Sequence, residues 1–165
     1  MQKIRKAYKF RLKTNADIEC KLLGFCGSGR FVWNKCLSLN LDRLEKGQSI
    51  LWYTELAWWL TLWKQSEEYS FLKDCPSQVL QQKLMDLERA FKDCFDRKQP
   101  LKRLPVFKRK GREEGIRFPQ GFRIVARRIF LPKIGWIGYY KSRDIHGKIK
   151  NITVTNCAGR WYASI

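Results

Sequence analysis

Histidine is nearly absent, with His146 the single copy, and acidic side chains almost vanish from the C-terminal part, where only Glu113, Glu114 and Asp144 follow residue 97. A two-metal nuclease centre needs several carboxylates converging on its ions, and general acid–base work at neutral pH draws most often on histidine. The acidic residues of the middle alternate with Lys and Arg as on a solvated helix surface. No P-loop, GxSxG or HExxH occurs. The six cysteines, Cys20, Cys26, Cys36, Cys75, Cys94 and Cys157, contain no CxxC pair, so the spacing of a zinc site is missing. They read as small residues in a reducing compartment rather than as a disulfide framework. No run approaches the ~18 uncharged apolar residues of a membrane span, and the basic N-terminus leads into no apolar signal-peptide core. These absences predict a soluble, intracellular protein that binds without breaking bonds and holds no metal or cofactor.

What is abundant is positive charge. The net charge is +19, far beyond what solubility requires, while 44% hydrophobic and 14% aromatic content is enough to build a core. The excess is confined to the ends. Residues 1–13 carry six basic and no acidic residues, residues 14–97 carry eleven and twelve, and residues 98–165 carry seventeen and three. From Leu104 to Lys133 the cations alternate with Phe107, Ile116, Phe118, Phe122, Ile124, Val125, Ile129 and Phe130. Such a segment can fold and still present a cationic face, which suits a polyanion with a regular backbone.

Tyr8, Phe10 and Leu12 alternate with Lys9 and Arg11 in a half-buried strand pattern over Lys3 to Leu12. Thr14 then caps a helix whose apolar face is Ile18, Leu22 and Phe25. The glycines of Gly27-Ser28-Gly29 predict a break, with a second helix from Arg30 to Lys46 stopped at Gly47. Such a pair suggests a helix-turn-helix or a purely structural hairpin. Its candidate base readers are Arg30, Asn34, Lys35, Asn40 and Arg43. The Trp-rich run Ile50 to Trp63 predicts a helix from about Thr54 that serves as core or as an interface. Pro76 to Lys98 is the clearest helix, striped by Leu80, Leu84, Leu87, Phe91 and Phe95. Ser77, Gln78, Gln81 and Gln82 lie at its start, and glutamine can pair with adenine.

Beyond residue 110 short strands follow, at 116–118, 122–126, 129–131, 135–140, 149–155 and 160–165. Asp144 to Gly147 and Ala158-Gly159 read as hairpin turns. The first strand has partners only here, so the economical arrangement is a small barrel or curled sheet made from both chain ends, with the neutral helices inserted. The phosphate-binding candidates are Lys3, Arg5, Lys9 and Arg11 on the first strand, with Lys108, Arg109, Lys110, Arg112, Arg117, Arg123, Arg127 and Arg128 after it.

The blocks AYKFRLKTN, GSGRFVWN, CPSQVLQQKLMDLERAFKDCF, PVFKRKG, IRFPQ, LPKIGWI and GRWYASI, in that order, resemble the N-terminal portion of TnpB (OrfB) proteins, the transposon-encoded RNA-guided nucleases of prokaryotes. The resemblance implies an α+β chain. An oligonucleotide-binding-like wedge, a small antiparallel β-barrel, would come from residues 1–13 and 104–165, and a helical recognition domain from residues 14–103. It implies an omega-type guide RNA and target DNA as partners, in the cytoplasm at the nucleoid, with Tyr53, Ser77, Gln78 and Gln81 contacting target-adjacent DNA. In the family a RuvC-like nuclease domain and a zinc ribbon follow a strand like Trp161–Ile165. Neither lies within these residues, so the expected role is binding, with the RuvC-like domain a possible partner of the Trp-rich segment.

Overall fold

The computed structural model describes residues 4–112 and 114–165. Lys3 and Glu113 lie outside them. Strand β1 (Lys9–Lys13) comes first, then helices α1 (Ala16–Glu45), α2 (Tyr53–Gln65) and α3 (Ser77–Phe95), with a 3-10 turn at Ser70–Asp74. Six strands complete the chain: β2 (Gly115–Phe118), β3 (Arg123–Val125), β4 (Arg128–Leu131), β5 (Gly135–Tyr139), β6 (Ile152–Cys157) and β7 (Arg160–Ser164). This is the α+β class the sequence predicts. Two compact units emerge, Met1–Cys26 with Glu113–Ile165, and Gly27–Arg112.

In the first unit all seven strands join one antiparallel sheet in the order β2-β6-β7-β1-β5-β4-β3. The central strand serves two ladders in turn: Lys9, Phe10 and Arg11 pair with Ser164, Ala163 and Tyr162, then Leu12 and Lys13 pair with Tyr139 and Gly138. Of the small barrel or curled sheet expected from both chain ends, the strands form an open sheet with β2 and β3, only four and three residues long, as its edges.

Period-two alternation puts Phe10, Leu12, Ile116, Phe118, Ile129, Leu131, Ile137, Tyr139, Ile152, Val154, Trp161 and Ala163 on the buried face. Each large apolar side chain so buried contributes about 1.5–3 kcal/mol. The Phe10 and Tyr139 rings, 5.1 Å apart, join the two ladders' cores, and the buried Tyr139 hydroxyl donates to the Ala126 carbonyl at 3.1 Å. Ala158 and Gly159, both at positive φ (51° and 75°), form the tight turn between β6 and β7.

The turn expected at Asp144–Gly147 closes no hairpin. Both edges of β5 are taken by β1 and β4, and both edges of β6 by β2 and β7, so the two cannot pair. The segment belongs instead to a longer connection, where the His146 amide donates to the Tyr8 hydroxyl at 3.4 Å.

The break predicted at Gly27-Ser28-Gly29 does not occur: α1 is one helix of 30 residues. Its cap is Asn15 rather than the expected Thr14: Asn15 Oδ1 accepts the Ile18 amide at 2.9 Å, while the Thr14 hydroxyl donates to Glu19 at 2.6 Å. Each mid-helix glycine costs roughly 1 kcal/mol relative to alanine but does not forbid the helix. The buried positions Leu22, Phe25, Cys26, Val32, Trp33, Cys36, Leu37 and Asn40 keep a helical period across the glycines. At Gly29 a Cβ would come 3.1 Å from Lys83 Cε of α3, so the missing side chain admits that lysine stem.

In the second unit α2 and α3 run antiparallel. Lys64 Nζ meets Ser77 Oγ at 3.1 Å at one end, and the Tyr53 amide meets Glu88 Oε1 at 3.4 Å toward the other. Leu80, Leu84, Leu87 and Phe91 are buried as their stripe predicts, but Phe95 closes the helix and is half exposed. Of the four tryptophans in the Trp-rich run only Trp63 is buried; Trp58 is 59% exposed, because Leu56 and Leu60 occupy the core-facing positions of α2.

Candidate nucleic-acid interface

The unburied face of the sheet collects cations and aromatic rings. Read across the ladders, Lys9 aligns with Ser164, Thr153 and Arg117; Arg11 aligns with Tyr162, Thr155 and Gly115. On the other side Lys13 aligns with Gly138, Arg128 and Val125, and Trp136 with Phe130 and Arg123. Alternation along β1 sets Lys9, Arg11 and Lys13 about 7 Å apart on this side.

Their charges rest on neutral rings. Lys9 Nζ lies 4.8 Å from the Tyr162 ring centroid, and Lys13 Nζ and Arg11 Cζ lie 4.8 and 5.5 Å from that of Tyr140. A cation–π contact orders the side chain without cancelling its charge. A Cβ at Gly138 would meet Lys13 Cδ at 3.3 Å, so glycine gives the lysine stem room to lie across β5. Trp136, 45% exposed, meets Phe130 edge-on at 5.5 Å. Among the described residues none of Lys9, Arg11, Lys13, Arg117, Arg123 and Arg128 is paired with a carboxylate. Asp144 is held by Lys141 at 2.5 Å, a hydrogen bond and charge that keep its carboxyl below the ordinary range and raise the lysine.

Thus Lys9, Arg11, Arg117, Arg123 and Arg128 come to one face. Arg5 is exposed ahead of β1, and Arg127 sits in the turn between β3 and β4, where its carbonyl accepts the Tyr139 amide. Lys3 lies outside the described residues. Lys13, Tyr140, Tyr162 and Trp136 complete the face and were not singled out from sequence. Lys13 continues the alternation of β1, but the rings become its neighbours only through the ladder register.

The other candidates lie in the second unit. Lys108, Arg109, Lys110 and Arg112 belong to a strap fixed on α1: Trp33 Nε1 donates to the Val106 carbonyl at 3.0 Å. The Asn34 amide accepts the Lys108 N–H at 2.8 Å and donates to its carbonyl at 3.0 Å. Lys108 Nζ stands 4.2 Å over the Trp33 ring. Ser77, Gln78 and Gln81 share the start of α3, with Ser77 and Gln81 exposed and Gln78 half-buried. Tyr53 is not beside Ser77: Glu88, which meets the Tyr53 amide, lies about 16 Å along α3 from Ser77.

The base readers proposed for a helix-turn-helix are mostly engaged within the unit. Asn34 holds the strap, and Asn40 holds Leu51. Arg43 Nε donates to the Ser49 carbonyl. Lys35 is caged by Phe31, Trp63 and Tyr69, with its Nζ 3.3 Å from the Tyr69 hydroxyl. Among the described residues no group of three His, Cys, Asp or Glu side chains is placed to hold a metal ion, and no helix is long and apolar enough to cross a membrane.

Residues 1–49 match the family HTH_OrfB_IS605, a helix-turn-helix domain; β1 and α1 lie within that stretch. Over 161 residues, 96% of the chain, the sequence is 42% identical to the protein named "Putative RNA-guided DNA endonuclease InsQ" from Escherichia coli (strain K12). Over its full length it is 28% identical to a "Putative RNA-guided DNA endonuclease" from Streptomyces pristinaespiralis. The chain spans 39% and 42% of the lengths of these relatives. The resemblance to TnpB (OrfB) proteins read from the sequence blocks is borne out.

Proposed function

We infer, from a chain similar throughout to part of the TnpB (OrfB) RNA-guided endonucleases, that it is a nucleic-acid-binding module of such an enzyme. It grips the scaffold of an omega-type guide RNA and DNA beside the target, and does not itself cut. The observation that carries this reading is the sheet face on which Lys9, Arg11, Lys13, Arg117, Arg123 and Arg128 stand among Tyr140, Tyr162 and Trp136, none of them paired with a carboxylate among the described residues. Each phosphate seated on such a cation releases condensed counterions, giving strong and salt-sensitive affinity. Cations pre-ordered on rings lose less freedom on binding.

In this reading residues 1–13 and 104–165 act as the wedge that holds RNA. Residues 14–103 act as the recognition domain, with Tyr53, Ser77, Gln78 and Gln81 toward the DNA motif. A RuvC-like domain supplies cutting, and the setting is the prokaryotic cytoplasm at the nucleoid. The test is affinity at about 0.15 M salt for a structured RNA from the matching transposon end against an unrelated RNA of equal length. Tighter binding of the cognate RNA is expected; equal, weak binding of both overturns the reading.

The family match over residues 1–49 favours a second reading, a helix-turn-helix protein acting on transposon DNA ends. It requires Arg30 or Asn34 substitutions to abolish binding of duplex DNA from the transposon end, whereas the first reading places the larger loss at Arg123 and Arg127.

A further inference from the structure

The strap across α1 exposes an aromatic ring. Phe107 is 52% exposed, beside the exposed Arg109, in a segment whose backbone is anchored by Trp33 and Asn34. Asn34 bonds both the N–H and the C=O of Lys108, as a neighbouring strand does for one residue of an antiparallel ladder, and this requires extended geometry at Lys108. In extended backbone the side chains at 107 and 109 leave from the face opposite that of 108 and stand about 7 Å apart. The Lys108 side chain turns toward the Trp33 ring, which leaves Phe107 and Arg109 on the other face.

A large ring held out to solvent costs burial energy, and a fixed backbone pays the ordering entropy before any ligand arrives. A ring and a guanidinium at this separation match an unpaired nucleotide, whose base offers a π face and whose phosphate offers charge. A duplex offers neither face of its stacked bases.

Resting on the nucleic-acid reading above, we propose that Phe107 and Arg109 form a stacking site for an unpaired nucleotide of single-stranded RNA or DNA, with Asn34 and Trp33 as positioning residues.

The test uses the full chain and anisotropy of fluorescein-labelled U15, dT15 and a 15-base-pair duplex over a salt series. Phe107→Ala lowers affinity for U15 and dT15 by about tenfold without changing the salt slope, and leaves duplex affinity unchanged. Phe107→Trp retains wild-type affinity. Arg109→Gln lowers the single-strand salt slope by about 0.7. Asn34→Ala weakens single-strand binding with Phe107 intact and speeds amide exchange at Lys108. Unequal losses on U15 and dT15 tell which strand chemistry the site takes. A folded Phe107→Ala that binds both oligonucleotides like wild type overturns the proposal, and so does an equal loss on the duplex. If substitutions on the sheet face weaken binding while Phe107→Ala does not, the general reading stands and this site falls. If the wild type binds no nucleic acid, both fall.

Discussion

The buried Asn40 side chain stands in for a strand against Leu51, accepting the Leu51 amide at 2.7 Å and donating to its carbonyl at 3.0 Å. Asn34 makes the same two bonds to Lys108 on the neighbouring face of α1. One long helix therefore pins two irregular segments by their backbones.

Asn40→Ala leaves both Leu51 backbone groups without these partners. Each uncompensated buried group costs about 1–3 kcal/mol, so thermal unfolding should show a destabilisation of about 2–4 kcal/mol. A loss below about 0.5 kcal/mol would mean that water replaces the clamp.

Gly24 separates a continuous helix from a turn. Nothing lies within 4 Å of a Cβ built there, and its φ is not positive. Gly24→Ala should stabilise the protein by about 0.5–1 kcal/mol through helix propensity and a less free unfolded chain. Destabilisation measured by denaturant titration would indicate a backbone that needs glycine at this point.

Cys36 is fully buried, and burial pushes its thiol from 9.0 up to about 12 against a smaller opposing pull from Lys35. A thiol with a raised folded pKa contributes stability that is present below the unfolded value and lost as pH climbs toward the folded one. The melting temperature should fall between about pH 9 and pH 12, and Cys36→Ala should fall less steeply over that window. Under native conditions at pH 8 a maleimide should modify the exposed Cys20 and Cys157 and spare Cys36.

Replacing Lys9, Arg11 and Lys13 together by glutamine removes three charges that sit on rings rather than in the core. Stability should change by less than about 1 kcal/mol, while RNA affinity drops and the slope of log K against log salt shrinks by about 2. An unchanged slope would place the RNA elsewhere on the molecule.

Local pattern made much of this legible. Phe10 and Leu12 against Lys9 and Arg11 mark β1. Leu80, Leu84, Leu87 and Phe91 mark α3, and Ala158-Gly159 marks the last hairpin. Gly27–Gly29 misled because glycine weakens a helix by an amount that a buried stripe on both sides easily exceeds. Asn34 and Asn40 resembled base readers because an amide suits a backbone as well as an adenine edge, and residue type alone does not choose between them.

By itself the sequence determined where charge lies, where most of the helices and strands fall, and which side of each strand is apolar, since these follow from composition and from periods of two and 3.6 residues. Only the tertiary structure decided that β1 serves two ladders, that the sheet stays open, and that Lys9, Arg11 and Lys13 meet Tyr162 and Tyr140. Those are relations between residues more than a hundred positions apart. Strand order depends on which edges remain free once all the buried faces are packed together, and no local period carries that information.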